Sequence, residues 1–139
     1  LNAVWKIHAG TGEVLWQYTG DNEEGSPGAF KSQHDFHRSG NGDYLVFNNG
    51  PSRDSSFSSS AVLFNFSNGK LSNKRVIQLP DSVFTLKEGN VLQISPNRFL
   101  FSITRTNDLL ITDSLGHIQW HVKSDHGFYR AYWLETFKR

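Results

Sequence analysis

WKIHAGTGEVLW, residues 5–16, aligns without a gap to LLITDSLGHIQW, residues 109–120. Ile7 falls on Ile111, Gly12 on Gly116 and Trp16 on Trp120. A third copy, VLFNFSNGKL at 62–71, puts its glycine at Gly69. Each stretch reads as two apolar strands around a polar turn, with glycine supplying the positive φ that a tight hairpin needs. Between these hairpins lies a second repeated unit: GDYLVF at 42–47 matches PNRFLF at 96–101 in position and character. Two alternating hairpins in every ~50 residues make a four-stranded unit, the pattern of a propeller blade.

Outward from these hairpins the β signal covers the chain. Short apolar runs alternate with Gly, Asn, Asp, Ser and Pro, and no window holds a helical period for three turns. The expected strands are Ala3–Ile7, Val14–Tyr18, Asp35–Arg38, Tyr44–Asn48, Ala61–Phe66, Lys74–Gln78, Asn90–Ile94, Arg98–Thr104, Leu109–Thr112, Ile118–Val122 and Tyr129–Leu134, with a brief helical turn within 81–88. The fold is then all-β. It comprises an outer hairpin at 1–20, an antiparallel four-stranded blade at 34–79, a second at 88–122, and the start of a further blade at 126–139. Two complete blades cannot close a ring, since about four is the minimum. The chain is therefore expected to be part of a larger propeller, with apolar faces left open at its ends. An eleven-strand sandwich or closed barrel is the alternative; it suits the length of 139 residues better and the repeat less well.

Composition narrows the function classes. Net charge is +1 with acids and bases interleaved, so bulk electrostatics point neither to nucleic acid nor to an anionic membrane. No apolar stretch is long enough to span a bilayer. No signal peptide is visible, which leaves secretion open. Cysteine is absent, which removes disulfides and thiolate metal sites. Aromatic residues reach 14%, as suits sheet faces packed on one another. The segments 20–32 and 52–60 read as polar surface loops, the first of a length that often borders a site.

The chemistry concentrates in FKSQHDFHRSGNGDYLVFNNGPSR, residues 30–53. A His-Asp pair, His34 and Asp35, heads a strand. A polar turn follows, then the apolar strand Tyr44–Phe47, then a glycine-containing loop ending in Arg53. A histidine where a strand leaves a loop, with a cation returning after the next strand, can present a nucleophile to an anionic ester. The plain alternative is a β-hairpin carrying two incidental histidines. His37, three residues on, is expected on the opposite face from His34, which argues against a shared metal; a zinc or copper site from His34, Asp35 and His37 is the minor alternative. Asp35 is expected to serve the turn rather than touch His34. His117 and His121 read as surface residues, and Asn65-Phe66-Ser67 is a glycosylation sequon inside a strand.

QHD at 33–35 followed by LVFNNG at 45–50 resembles the Gln-His-Asp…Phe-Asp-Asn-Gly segment of the arylsulfotransferase family. VWKIHAGTGEVLWQY at 4–18 is similar to the strand-turn-strand before that segment, and FYRAYWLETFKR at 128–139 to the family's Tyr-Arg-Ala segment. The resemblance implies part of a six-bladed β-propeller and PAPS-independent transfer of a sulfuryl group from an aryl sulfate to a phenol, without a cofactor or metal. It implies that His34 takes the group as a transient sulfohistidine. Arg53 and Arg130 would bind sulfate, with Tyr129 as an aromatic wall, and Arg130 would face the channel if the ring closes. The remaining blades would come from the same or another chain, and the expected location is secreted, periplasmic or along the secretory route. The family's further histidines and an arginine have no counterpart here, and Phe128 stands where a polar residue is expected. A complete family site is thus not present in these residues, and whether they belong to an enzyme stays open. A non-catalytic propeller module for protein or glycan binding, or for assembly, is the alternative.

Overall fold

The computed structural model describes residues 2–19, 30–50, 58–67, 70–81 and 83–134. The described residues are all-β, with ten strands: β1 (Ala3–Ile7), β2 (Val14–Thr19), β3 (His34–Arg38), β4 (Tyr44–Asn48), β5 (Ser60–Ser67), β6 (Lys70–Gln78), β7 (Asn90–Ser95), β8 (Arg98–Ile103), β9 (Asp108–Asp113) and β10 (Ile118–Lys123). They form three antiparallel sheets: the hairpin β1-β2, the meander β3-β4-β5-β6 and the meander β7-β8-β9-β10. Among the described residues no helix is long and apolar enough to cross a membrane.

The sheets stack in three layers. One face of the middle sheet sets Leu45, Phe47, Leu63 and Ile77 against Val91, Phe99, Phe101 and Leu110 of the third. Its other face sets Val46, Val62 and Phe64 against Val4, Tyr18 and Phe30. Trp16 closes that second interface, stacked on Phe66 at 4.3 Å and edge-on to Tyr44 at 5.2 Å. A sheet covered on both faces needs apolar residues at every position, which is why 45–47 and 61–64 are continuous runs. The described strands form three open sheets rather than a closed barrel.

The gapless sequence match and the strand pairing differ by one residue. Gly12 (φ 73°) and Gly116 (φ 88°) sit in equivalent turns; Gly69 lies outside the described residues. Trp16 pairs with Lys6, whereas Trp120 pairs with Ile111. Lys6, not Ile7, is thus the counterpart of Ile111. The cause is turn length: the first turn closes from the His8 N–H to the Glu13 carbonyl at 2.8 Å, the later one from the Asp113 N–H to the His117 carbonyl at 3.0 Å. The first turn is one residue longer. The inner hairpins slip likewise. Tyr44 and Val46 look back toward the hairpin layer, while Phe99 and Phe101 look back toward the middle sheet. The gapless match of 42–47 to 96–101 is therefore one residue out, and such a slip exchanges faces.

Two expected elements do not form. The helical turn within 81–88 is a single turn closed from the Val83 N–H to the Pro80 carbonyl at 3.1 Å. Tyr129–Leu134 carries no strand. No strand of the third sheet pairs with it; instead the Asn90 side chain takes its backbone. Asn90 Nδ2 donates to the Ala131 carbonyl at 3.0 Å, and the Ala131 N–H donates to Asn90 Oδ1 at 3.1 Å.

Both ends of the stack expose apolar surface. Trp5, on the alternate face from Val4, is 47% exposed. The outer face of the third sheet holds a groove of about 570 Å³ lined by Leu100, Leu109, Ile111, Trp120, Tyr132 and Trp133. Apolar area left in water costs about 25 cal/mol per Å², so the 139-residue chain alone should self-associate. Sedimentation velocity should show concentration-dependent species, and Trp120→Lys should move them toward monomer. A wild-type monomer unfolding sharply and independently of concentration would contradict this.

A Cβ at Gly116 would lie 1.9 Å from the Gln78 carbonyl oxygen of β6, whereas one at Gly12 meets nothing within 4 Å. Both alanines carry the left-handed cost of about 1–2 kcal/mol. Only Gly116→Ala adds an overlap of about 1–3 kcal/mol. Urea midpoints should fall further for Gly116→Ala than for Gly12→Ala.

Candidate functional site

The site is built on an irregularity in β3. His34 pairs with Phe47 and His37 with Leu45, so Asp35 and Phe36 together oppose Val46 in a β-bulge. Asp35 adopts φ 55° to make it. Cross-strand partners share a face, and Phe47 and Leu45 both face the third sheet. His34 and His37 therefore share that face too, contrary to the opposite faces expected of a regular strand. Phe36 turns the other way and stacks on Tyr44 at 5.4 Å.

The bulge lays the Asp35 carboxylate across the layer boundary. Its Oδ2 accepts the Val91 N–H of β7 at 3.1 Å and lies 3.6 Å from His37 Nδ1; its Oδ1 lies 3.9 Å from Arg130 Nη2. Asp35 thus bonds Val91 rather than His34. Burial pushes its pKa above the usual carboxylate value, against the opposing pull of His37, the Val91 N–H, Arg130 and His34. The Arg130 guanidinium lies over the Tyr129 ring at 5.2 Å, and Tyr132 beside it, with Asp35, raises its pKa.

His34 sits at the head of β3 with both ring nitrogens engaged. Nδ1 lies 2.6 Å from Asn49 Oδ1 and 3.1 Å from the Ser32 carbonyl oxygen. Nε2 accepts the Glu88 N–H at 3.4 Å. Asn49 is 1% exposed and donates through Nδ2 to the Thr85 and Glu88 carbonyls at 2.9 and 2.8 Å. The loop entering the third sheet is thereby pinned to the end of β4.

The structure gathers His34, Asp35, His37, Tyr129 and Arg130 at one layer boundary, around Asp35. Arg53 lies outside the described residues. Among those described, no group of three or more His, Cys, Asp or Glu is arranged to hold a metal. His117 and His121 are exposed partners of Asp113 and Asp108, at 3.0 and 2.9 Å. Asn49 and Glu88 are the site residues that sequence reasoning missed. The signal for Asn49 was an asparagine following an apolar strand into a glycine turn, where a buried amide must find partners.

A carboxyl whose folded pKa is raised stabilises the fold below the unfolded value, and that contribution is lost as pH rises through the folded value. Asp35→Asn removes this dependence. Its stability relative to wild type, from urea midpoints across the acidic range, should therefore improve as pH rises from the ordinary carboxylate value of 3.8. A relative decline would mean that the pairing with His37 and Arg130 outweighs burial.

No protein-family model, no curated protein and no solved structure matches this chain.

Proposed function

We propose that these residues form the nucleophile-bearing segment of a β-propeller sulfuryltransferase, which moves a sulfuryl group from an aryl sulfate to a phenol. One observation carries the reading: the polarity of the partners around His34. Nδ1 faces two acceptors, and Nε2 faces one N–H, at 3.4 Å. Nδ1 therefore holds the proton and Nε2 the lone pair. Two successive four-stranded meanders supply the blade-like frame, with further blades from the same or another chain covering the end faces.

The chemistry follows from this polarity. Nε2 attacks sulfur, the sulfur–oxygen bond to the aryl group breaks, and the phenolate leaves to be protonated by water. The N-sulfo imidazolium carries positive charge, which the acceptors on Nδ1–H stabilise. A phenol oxygen then attacks sulfur, the nitrogen–sulfur bond breaks, the phenol's proton passes to water, and Nε2 regains its lone pair. The Glu88 N–H must leave the Nε2 lone pair as the attack begins, and it is then a donor for a sulfuryl oxygen; Arg130 would be the fork for sulfate. A second reading rests on that same Glu88 contact: His34 ties β3 to the following loop in a non-catalytic propeller that binds a protein or glycan.

The test is turnover of a chromogenic aryl sulfate with a phenol acceptor by the intact protein that contains this segment. His34→Ala should lower kcat by on the order of 10³-fold or more. His37→Ala should cost far less, because its Nδ1 is held by the Asp35 backbone carbonyl at 2.9 Å. Arg130→Lys should lose more than charge conservation suggests, since an ammonium lacks the bidentate fork. An acid-labile adduct on His34 would support the sulfohistidine. Near-normal turnover by His34→Ala would leave the binding module as the account.

A further inference from the structure

The buried amide of Asn49 has its orientation set from outside the site. Its Nδ2 hydrogens are consumed by two backbone carbonyls, of Thr85 and Glu88. A carbonyl only accepts, so the amide nitrogen must face that loop and the amide oxygen must face the other way. That oxygen meets His34 Nδ1 at 2.6 Å, shorter than the usual N–H···O distance of about 2.9 Å. We propose that Asn49 is the positioning residue for His34: it fixes the Nδ1–H tautomer and the ring plane, so that Nε2 is presented as the nucleophilic atom. The inference rests on the reading of His34 as nucleophile for its purpose, but not for its geometry.

Alternatives for this role are on the page. The Ser32 carbonyl also accepts from Nδ1, at the longer 3.1 Å, and Ser32 is exposed. Water competes at Ser32 and not at Asn49, so the buried acceptor decides the ring's orientation. Asp35, the carboxylate next to His34 in the chain, is spent on Val91, His37 and Arg130. The amide also differs from a carboxylate in kind. A neutral acceptor fixes the tautomer without the charge that a carboxylate would set against the imidazole.

Two variants, read by nitrogen NMR on protein labelled at histidine, test this in the intact protein. In wild type, the neutral His34 ring should carry its proton on Nδ1. Asn49→Leu removes the acceptor while filling the space, and the Nδ1–H fraction should fall. Asn49→Asp keeps an acceptor for Nδ1 but gives the Thr85 and Glu88 carbonyls no donor, so a folded variant should retain the tautomer. A wild-type His34 protonated on Nε2 would overturn the proposal, a measurement that stands even if neither variant folds. So would a folded Asn49→Leu protein whose Nδ1–H fraction is unchanged. In turnover, Asn49→Leu should lower kcat by about tenfold or more with KM little changed. If the tautomer results hold while wild type turns over no aryl sulfate, the positioning of His34 stands and the sulfuryl reading falls.

Discussion

Burial of the middle sheet on both faces is the constraint from which the rest follows. Leu45 and Phe47 look one way and Val46 the other, from adjacent positions of one five-residue strand. The hairpin and the third sheet each pack one face on the middle sheet. On the third sheet's other face Leu100 and Ile111 are buried beside Trp120, Tyr132 and Trp133, and Trp5 and Trp120 are half-exposed at the two ends of the stack. Gly89 and Gly116 mark two close approaches between layers. A Cβ at Gly89 would lie 2.9 Å from the Phe47 ring, and one at Gly116 would strike the Gln78 backbone.

The site is a by-product of joining two such layers. In β3 and β7, the edge strands of their sheets, the heads lie side by side, and polar groups there must find partners across the gap. Asp35 accepts from Val91, Asn49 grips the loop before Gly89, and His34 accepts from Glu88. One layer further on, Asn90 repeats the device by gripping Ala131 through both amide atoms. His34 and Asn90 hold corresponding places at the heads of their sheets' first strands, and each reaches toward the segment that follows. What distinguishes the His34 position is a ring nitrogen that can act as a base or nucleophile, where the next layer has an amide whose nitrogen can do neither.

Strands were legible in the sequence because turn chemistry bounds them: β1 and β4 run over the residues expected, and the others differ mainly at their ends. Faces were less legible. Runs such as LVF at 45–47 and FLF at 99–101 are apolar throughout, so they carry no period-two signal to say which residue looks which way. The shared face of His34 and His37 was hidden for a related reason. A bulge at a non-glycine residue is held by tertiary contacts, here Val91 and Arg130, that no local pattern announces. Tyr129–Leu134 has the aromatic composition of a strand, but a strand exists only with a partner, and here a single asparagine side chain stands in for one.

Asp35 sets the electrostatic character of the site, and its placement bears on what the site can bind. A carboxylate beside two histidines and an arginine opposes the binding of an anion, which is a cost if sulfate esters are the substrate. The geometry limits that cost. Its hydrogen bond goes to a backbone N–H, and Arg130 stays 3.9 Å away, too far for a bidentate pair. The guanidinium fork is thus tethered rather than consumed. Burial raises the Asp35 pKa against the pull of those partners, and a protonated carboxyl would offer an anion no repulsion. Binding of an anion would itself favour that proton, since a negative neighbour raises the carboxyl pKa further. Ligand and proton would then bind with positive coupling at one layer boundary.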